Sequence, residues 1–263
     1  MRQKIYQVDA FTTEVFKGNP AGVCVLPEGR EDSWLQNVAS EMNLSETAFV
    51  LRENGDWRLR WFTPSQEMYL CGHATLSTAH ILWERGFLPK GTEARFHTLS
   101  GLLTVKQEGD WMEMDFPAWI AEPKEVSQEL TDVVGVPVSW FGRNEHFGMA
   151  VVETPEQVRQ LQPKFHQLRE MPMDGLIVTA QGDGHPYDFV SRVFGPKLGI
   201  DEDPVTGGAH CMLTPYWAEQ LGKPSLHAYQ ASKRGGELRV TAKGDRVALG
   251  GQAVTVFEAE LLQ

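Results

Sequence analysis

One carboxylate, Glu46, interrupts the stretch MNLSETAF (residues 42–49), between Ser45 and Thr47 and beside Leu44, Ala48 and Phe49. An acid among small and apolar neighbours has its pKa raised by desolvation, which suits it to taking and returning protons. His73, in LCGHATL, is a second proton carrier, because a neutral imidazole relays protons at ordinary pH. Asp203 precedes Pro204 in DEDPVTGGAH, which biases it toward extended backbone. Its carboxylate then faces the loop and can hold an ammonium or a hydroxyl, unless it caps the helix that follows; Asp201 and Glu202 are expected to be solvated. Gly72-His73 and Gly207-Gly208 stand where two helices should begin. First-turn N–H groups lack intrahelical partners, the dipole end is positive, and glycine lets a ligand approach the backbone. Two such starts suit a bound carboxylate. Tight helix–strand packing explains either glycine pair singly; the repetition favours the anion site.

Cys71, next to Gly72, offers different chemistry, since a thiol at a helix N-terminus has a lowered pKa and can act as a base. An amino-acid racemase or epimerase built on it needs a second thiol. The mirrored position is Thr206, Cys211 falls a turn inside its helix, and Cys24 in AGVCVL reads as a buried strand residue. A metal held by Cys71, His73 and His80 needs better spacing and a fourth ligand, so His80 reads as packing. A non-catalytic small-molecule-binding or scaffold protein is the reading from another class.

The elements that position these residues follow from periodicity. KIYQVDAF, GNPAGVCVL, ETAFVLRE and WRLRWFTP read as strands, the last two joined by the hairpin signal NGD. REDSWLQNVASEMN is helical, with Asp32 or Ser33 as its cap. GHATLSTAHILWERG is a helix closed by Gly86, and ARFHTLSG, LLTVKQEGD and WMEMDFP form a meander. From residue 118 a second phase carries the helix EVSQELTDVVG, the strands of SWFGRNEHFGMAVVE, and TPEQVRQLQP opened by Thr154 and Pro155. DGLIVTAQG and YDFVSRVFGP are strands, GGAHCMLTPYWAEQLG a helix ended by Gly222, and the remainder strand-rich. RWFTPSQEMYLCGHATLSTAHILWERG and SRVFGPKLGIDEDPVTGGAHCMLTPYWAEQLG share one plan: a strand ending Phe-x-Pro, a loop, Gly-x-Ala opening a helix, a closing Gly. This predicts an internally duplicated α+β protein, with domains at 1–117 and 118–251 and their helix starts facing one cleft.

Composition bounds the class. The 263 residues are 41% hydrophobic and 22% charged, a globular balance. A formal charge of −11 without a Lys/Arg run argues against nucleic-acid and membrane partners. Three widely spaced cysteines point to a reducing compartment, and MRQKIYQVDAF has no apolar signal segment; the expectation is a cytoplasmic protein.

Taken in series, DAFTTEVFKGNPAGVCVL, EMNLSETAFVL, RWFTP, LCGHATL and EDPVTGGAH resemble the PhzF-like family of isomerases, named for phenazine biosynthesis, along nearly the whole chain. The resemblance implies a diaminopimelate epimerase-like fold: two similar domains, each a curled β-sheet around a central helix, the active site between them, and strand 252–263 joined to the first domain. It implies no cofactor, no metal and a homodimer; by composition alone, the Trp-rich SWFG and PAWI stretches read as apolar interface candidates. The best-studied members isomerise 2,3-dihydro-3-hydroxyanthranilate by a proton shift. Glu46 matches the family's acid/base. His73 and Asp203 match its other polar residues, with Asp203 at the substrate's amino group; Gly72, His73, Gly207 and Gly208 match the carboxylate cradle, and Asn19 lies near it. Gly208 replaces the Ser of the phenazine enzymes and Cys71 a small non-thiol residue, so the resemblance supports the class better than the substrate. The expectation is a cofactor-independent isomerase of a small amino- or hydroxy-substituted carboxylic acid.

Overall fold

The computed structural model describes residues 3–184 and 186–262. The chain divides into two compact units, Met1–Asp115 with Gly250–Gln263, and Phe116–Leu249.

The first unit opens with β1 (Gln3–Ala10), β2 (Asn19–Leu26), α1 (Asp32–Met42) and β3 (Glu46–Glu53). β1 and β2 are antiparallel, and α1 carries the chain over to set β3 parallel to β2 with Ala21 opposite Glu46. α1 begins at Asp32 with Glu31 as an N-cap that makes no side-chain bond. The expected caps fail because the helix already includes both residues and Arg60 takes the Asp32 carboxylate at 2.7 Å. Asn43 ends the helix in the left-handed conformation, which turns the chain sharply into Glu46. The β3–β4 (Asp56–Phe62) hairpin pairs Glu53 with Asp56 across Asn54 and Gly55, both at positive φ, the geometry of a two-residue turn. β5 (Glu67–Met68) then leads to α2 (Gly72–Glu84), followed by β6 (Ala94–Thr98), β7 (Gly101–Glu108) and β8 (Trp111–Pro117).

The second unit repeats this order with a leading strand and helix and one further helix added. It holds β9 (Glu122–Lys124), α3 (Gln128–Val134), β10 (Trp140–Arg143), β11 (Phe147–Val151), α4 (Pro155–Gln160), α5 (Phe165–Glu170) and β12 (Gly175–Gln181). β13 (Phe189–Gly195), β14 (Ile200–Asp203), α6 (Gly207–Leu221), β15 (Ser225–Gln230), β16 (Gly236–Lys243) and β17 (Arg246–Gly251) follow, and β18 (Ala253–Leu261) ends the chain. β10 and β11 are antiparallel, β11 and β12 parallel, and β12 and β13 antiparallel, as β1 to β4 are. β13 meets β14 antiparallel and β15 parallel, as β4 meets β5 and β6. Even the closing strands correspond. β18 pairs with β1, and β9 pairs with β10. The shared topology is that of a duplicated α+β fold, and α4 opens with the expected cap: Thr154 and Gln157 bond reciprocally and Pro155 takes the first turn.

Each unit curls its strands around one buried helix. α2 has ten buried residues of thirteen and packs on β1, β2, β3 and β18. A helix apolar on every side belongs inside, and Ala74, Ser77 and Ala79 keep its surface thin enough for strands to close in. The Thr75 and Thr78 hydroxyls satisfy themselves on the carbonyls of Cys71 and Ala74. α6 packs on β15 and β16, while Trp217 stacks on Phe189 and donates to the Thr179 hydroxyl. Pro215 lies inside α6 and lacks the N–H that would bond the carbonyl of Cys211. The backbone N–H of Trp119 takes that carbonyl at 2.9 Å, which docks the Trp119 segment against the helix.

Candidate active site

Glu46 is the first residue of β3 and His73 the second residue of α2, and α2 packs on β3. This brings His73 Nε2 to 3.2 Å from Glu46 Oε2, with His73 buried and Glu46 mostly so. The approach lacks hydrogen-bond alignment, and Nε2 has no other partner among the described residues. Catalytic pairs without substrate are often aligned this loosely. Burial pushes the His73 pKa down to about 4, so the ring is neutral at ordinary pH.

Cys71 is the N-cap of α2 in extended conformation and makes no side-chain cap bond. Its thiol lies 3.6 Å from the other ring nitrogen, His73 Nδ1. One ligand atom each from Glu46, Cys71 and His73 fall within 4.8 Å of one another, a set able to hold a divalent cation, although the positive end of α2 works against a cation there. His80 is not part of this group. Its Nε2 faces the Thr255 hydroxyl at 3.1 Å and Glu84 at 3.7 Å.

Gly72 opens α2, where the first-turn amides have no side-chain cap. Asn19, fully buried, begins β2 two residues before the strand partner of Glu46, so both residues stand at the same end of two parallel strands. A residue that the sequence reading passed over prepares this end. Asp9, fully buried on β1, accepts from the backbone N–H of Phe16 at 2.7 Å and so ties the loop that leads into Asn19. Its one signal was a carboxylate inside an apolar strand.

In the second unit, α6 begins with Thr206 as an extended N-cap and Gly207 and Gly208 as its first two residues. Asp203 points back into its own loop, where its Oδ2 accepts from the Thr206 hydroxyl at 2.6 Å. Gln230, fully buried at the end of β15, was also missed. Its Oε1 accepts from Thr206 N at 2.9 Å, and its Nε2 donates to the Asp203 carbonyl at 2.8 Å and to the Thr206 hydroxyl at 3.2 Å. Glu202 is not solvated as expected: Arg192 grips it with two nitrogens at 2.6 and 2.9 Å. Gly208 lies under Trp119, whose ring atoms stand 3.2 and 3.3 Å from where a Cβ would be.

Residues 8–259 match the family described as phenazine biosynthesis-like protein. An uncharacterized isomerase of Halalkalibacterium halodurans is 49% identical over 265 residues, covering 100% of this chain and 99% of that one. The crystal structure of a PhzF-family phenazine biosynthesis protein from Enterococcus faecalis superposes with a TM-score of 0.96 at 41% identity, covering all of both chains. A hydroxyproline epimerase from Agrobacterium vitis shares the fold alone, at a TM-score of 0.66 and 12% identity over 99% of this chain and 92% of that one. The chain belongs to the phenazine biosynthesis-like, or PhzF, family, and it is an isomerase.

Proposed function

We propose that the protein moves a proton between two carbons of a small carboxylic acid that bears an amino or hydroxyl group, with Glu46 as general acid and base. The observation that carries this is the buried pair of Glu46 and neutral His73 at the open start of α2. Glu46 Oε2 takes a proton from a substrate carbon. The C–H electron pair moves into the adjacent unsaturation, and Glu46 returns the proton at a second carbon on the same face. No electrons leave the substrate, so the step balances without a cofactor. His73, neutral, polarises and positions. The uncapped first-turn amides at Gly72–His73 hold the carboxylate, and Asn19 supports that end of the first unit; in the second unit, the like amides at Gly207–Gly208 are candidate anion groups and Asp203 the candidate partner of the amino or hydroxyl group.

A two-thiol racemase finds little support. Cys24 and Cys211 are buried, and burial pushes both thiols up to about 12. No helix among the described residues is long and apolar enough to cross a membrane. The reading includes a cytoplasmic homodimer, which light scattering after size exclusion would check.

The test is proton NMR in deuterated water with a panel of small amino, hydroxy and unsaturated ring acids, native protein beside Glu46→Gln. Deuterium should enter one carbon of the true substrate with native protein alone. Equal exchange by Glu46→Gln would remove Glu46 from the chemistry.

A further inference from the structure

We propose that Cys71 is a positioning residue: its thiol donates to His73 Nδ1 and so keeps the single imidazole proton on Nε2, the side that faces Glu46. The inference rests on the proposed role of Glu46 for its meaning, but its geometry stands apart from it.

A neutral imidazole has one N–H donor and one acceptor, and its neighbours decide which nitrogen is which. His73 has a neighbour on each. Cys71 Sγ is 3.6 Å from Nδ1, within reach of a sulfur hydrogen bond, and Glu46 Oε2 is 3.2 Å from Nε2. A carboxylate only accepts, so a bare lone pair on Nε2 would face it repulsively, whereas an N–H there is attracted. With the proton on Nε2, Nδ1 is the acceptor and the thiol the donor. The opposite tautomer would turn Nδ1–H toward sulfur and leave a lone pair against Glu46. Both neighbours therefore favour the same state, but Glu46 is out of hydrogen-bond alignment with Nε2 and does not fix it alone, so the thiol decides.

The thiol is held in place to do this. The Cys71 carbonyl accepts from Thr75 N at 3.3 Å and from the Thr75 hydroxyl at 2.6 Å, which fixes the extended N-cap backbone that aims Sγ at the ring. Cys71 is buried, so water does not compete for Nδ1. The consequence for the reaction is directional. A proton held on Nε2 can bond the Glu46 carboxylate or a substrate oxygen beside it, and a ring with its proton on Nδ1 can do neither.

The chain contains an opposite case. His210 is also fully buried, and its Nδ1 lies 2.8 Å from the Thr206 carbonyl, which only accepts. Its proton must be on Nδ1. The two histidines should thus be fixed in opposite tautomers.

The experiment is nitrogen-15 NMR at neutral pH of histidine-labelled native protein, Cys71→Ser and Cys71→Ala, without substrate. The His73 signals are identified by their loss in His73→Asn. Native protein and Cys71→Ser should show His73 with protonated Nε2 and bare Nδ1. Cys71→Ala should show a tautomer mixture, and His210 should stay on Nδ1 throughout. A native His73 protonated on Nδ1, an unchanged tautomer in Cys71→Ala, or a Cys71→Ser that follows Cys71→Ala would each overturn the proposal. Once a substrate is in hand, Cys71→Ala should lower kcat by about tenfold or more with little change in KM, since a wrong tautomer spoils the transition state rather than binding. Cys71→Ser should recover most of it. If Glu46→Gln keeps full turnover while the tautomer result holds, the proposed function fails and the positioning of the ring does not.

Discussion

At the start of α2 the extended N-cap residue is Cys71, and at the start of α6 it is Thr206; neither side chain bonds a helix amide. Around this shared frame the two units place different groups. Beside Cys71 stand a carboxylate and a buried imidazole at a loose 3.2 Å. Beside Thr206 the polar groups close on one another: Asp203 with the Thr206 hydroxyl, and Gln230 with Thr206 N and the Asp203 carbonyl. Duplication supplied two buried helices with open N-termini. The first start holds a misaligned buried carboxylate–imidazole pair, and the second a polar loop whose groups bond one another. The difference follows from physical cost, because a misaligned buried polar pair is costly and persists where function needs it.

Breaking the Glu46 side should have the largest effect. Glu46→Gln keeps size and packing but removes the base, and turnover should fall by about 10²- to 10⁴-fold. Stability should barely change, since β3 is held by its backbone pairing with β2 and β4. A large loss of stability with modest loss of turnover would make Glu46 structural.

The two buried histidines offer a comparison by acid. Burial lowers both His73 and His210 from 6.5 to about 4. The unfolded chain binds a proton on each near pH 6.5, whereas the folded chain resists until about 4, so the unfolded state gains protons first. Stability should be full above pH 6.5 and decline as pH falls toward 4, on the order of 3 kcal/mol per histidine. His210→Asn should remove about half of that decline in urea titrations at pH 7 and 4.5, and leave the acid limb of turnover in place. An unchanged slope would take His210 out of the account.

The cradle side should be brittle in a different way. Gln230→Leu keeps volume but leaves Thr206 N and the Asp203 carbonyl without Gln230, inside the protein. The expected cost is about 1–3 kcal/mol, read as a lower Tm. The proposed function gives this loop a binding role, so turnover should fall through KM more than kcat. A kcat loss matching that of Glu46→Gln would show that the two starts do not divide the work.

How much of this was readable in the sequence depends on how local its cause is. The β3–β4 turn, the α4 cap and the Gly222 ending are set by neighbouring residues and were legible. The duplicated strand–helix unit was legible too, because Gly-x-Ala and the closing glycine recur. Glu46 and His73 could be named as candidates by type and place, but that His73 presents opposite nitrogens to Cys71 and Glu46 depends on how α2 packs on β3. Gln230 could not be found. It lies 24 residues from Thr206, in a strand whose alternation shows only that it is buried. The α1 cap failed for the same kind of reason, since Arg60 reaches Asp32 from another strand.

Gly208 gives the finest test of the comparison, because its counterpart by motif is His73. Its backbone is not in the left-handed region, so a side chain is excluded by neighbours alone. A Cβ would stand 3.2 Å from Trp119, which is tighter than ordinary contact. Trp119 cannot retreat freely: its N–H is held by the carbonyl that Pro215 leaves open, and its ring stacks on Phe147 at 6.2 Å. Gly208→Ser should therefore cost about 1 kcal/mol through overpacking, partly offset because Ser favours helix more than Gly does. In a Trp119→Leu background the clash is gone and the same substitution should become neutral or stabilising. The double-mutant cycle reads the difference as a coupling of about 1 kcal/mol. A zero coupling would mean that Trp119 yields without cost. The glycine would then be explained by what approaches the α6 amides rather than by what already covers them.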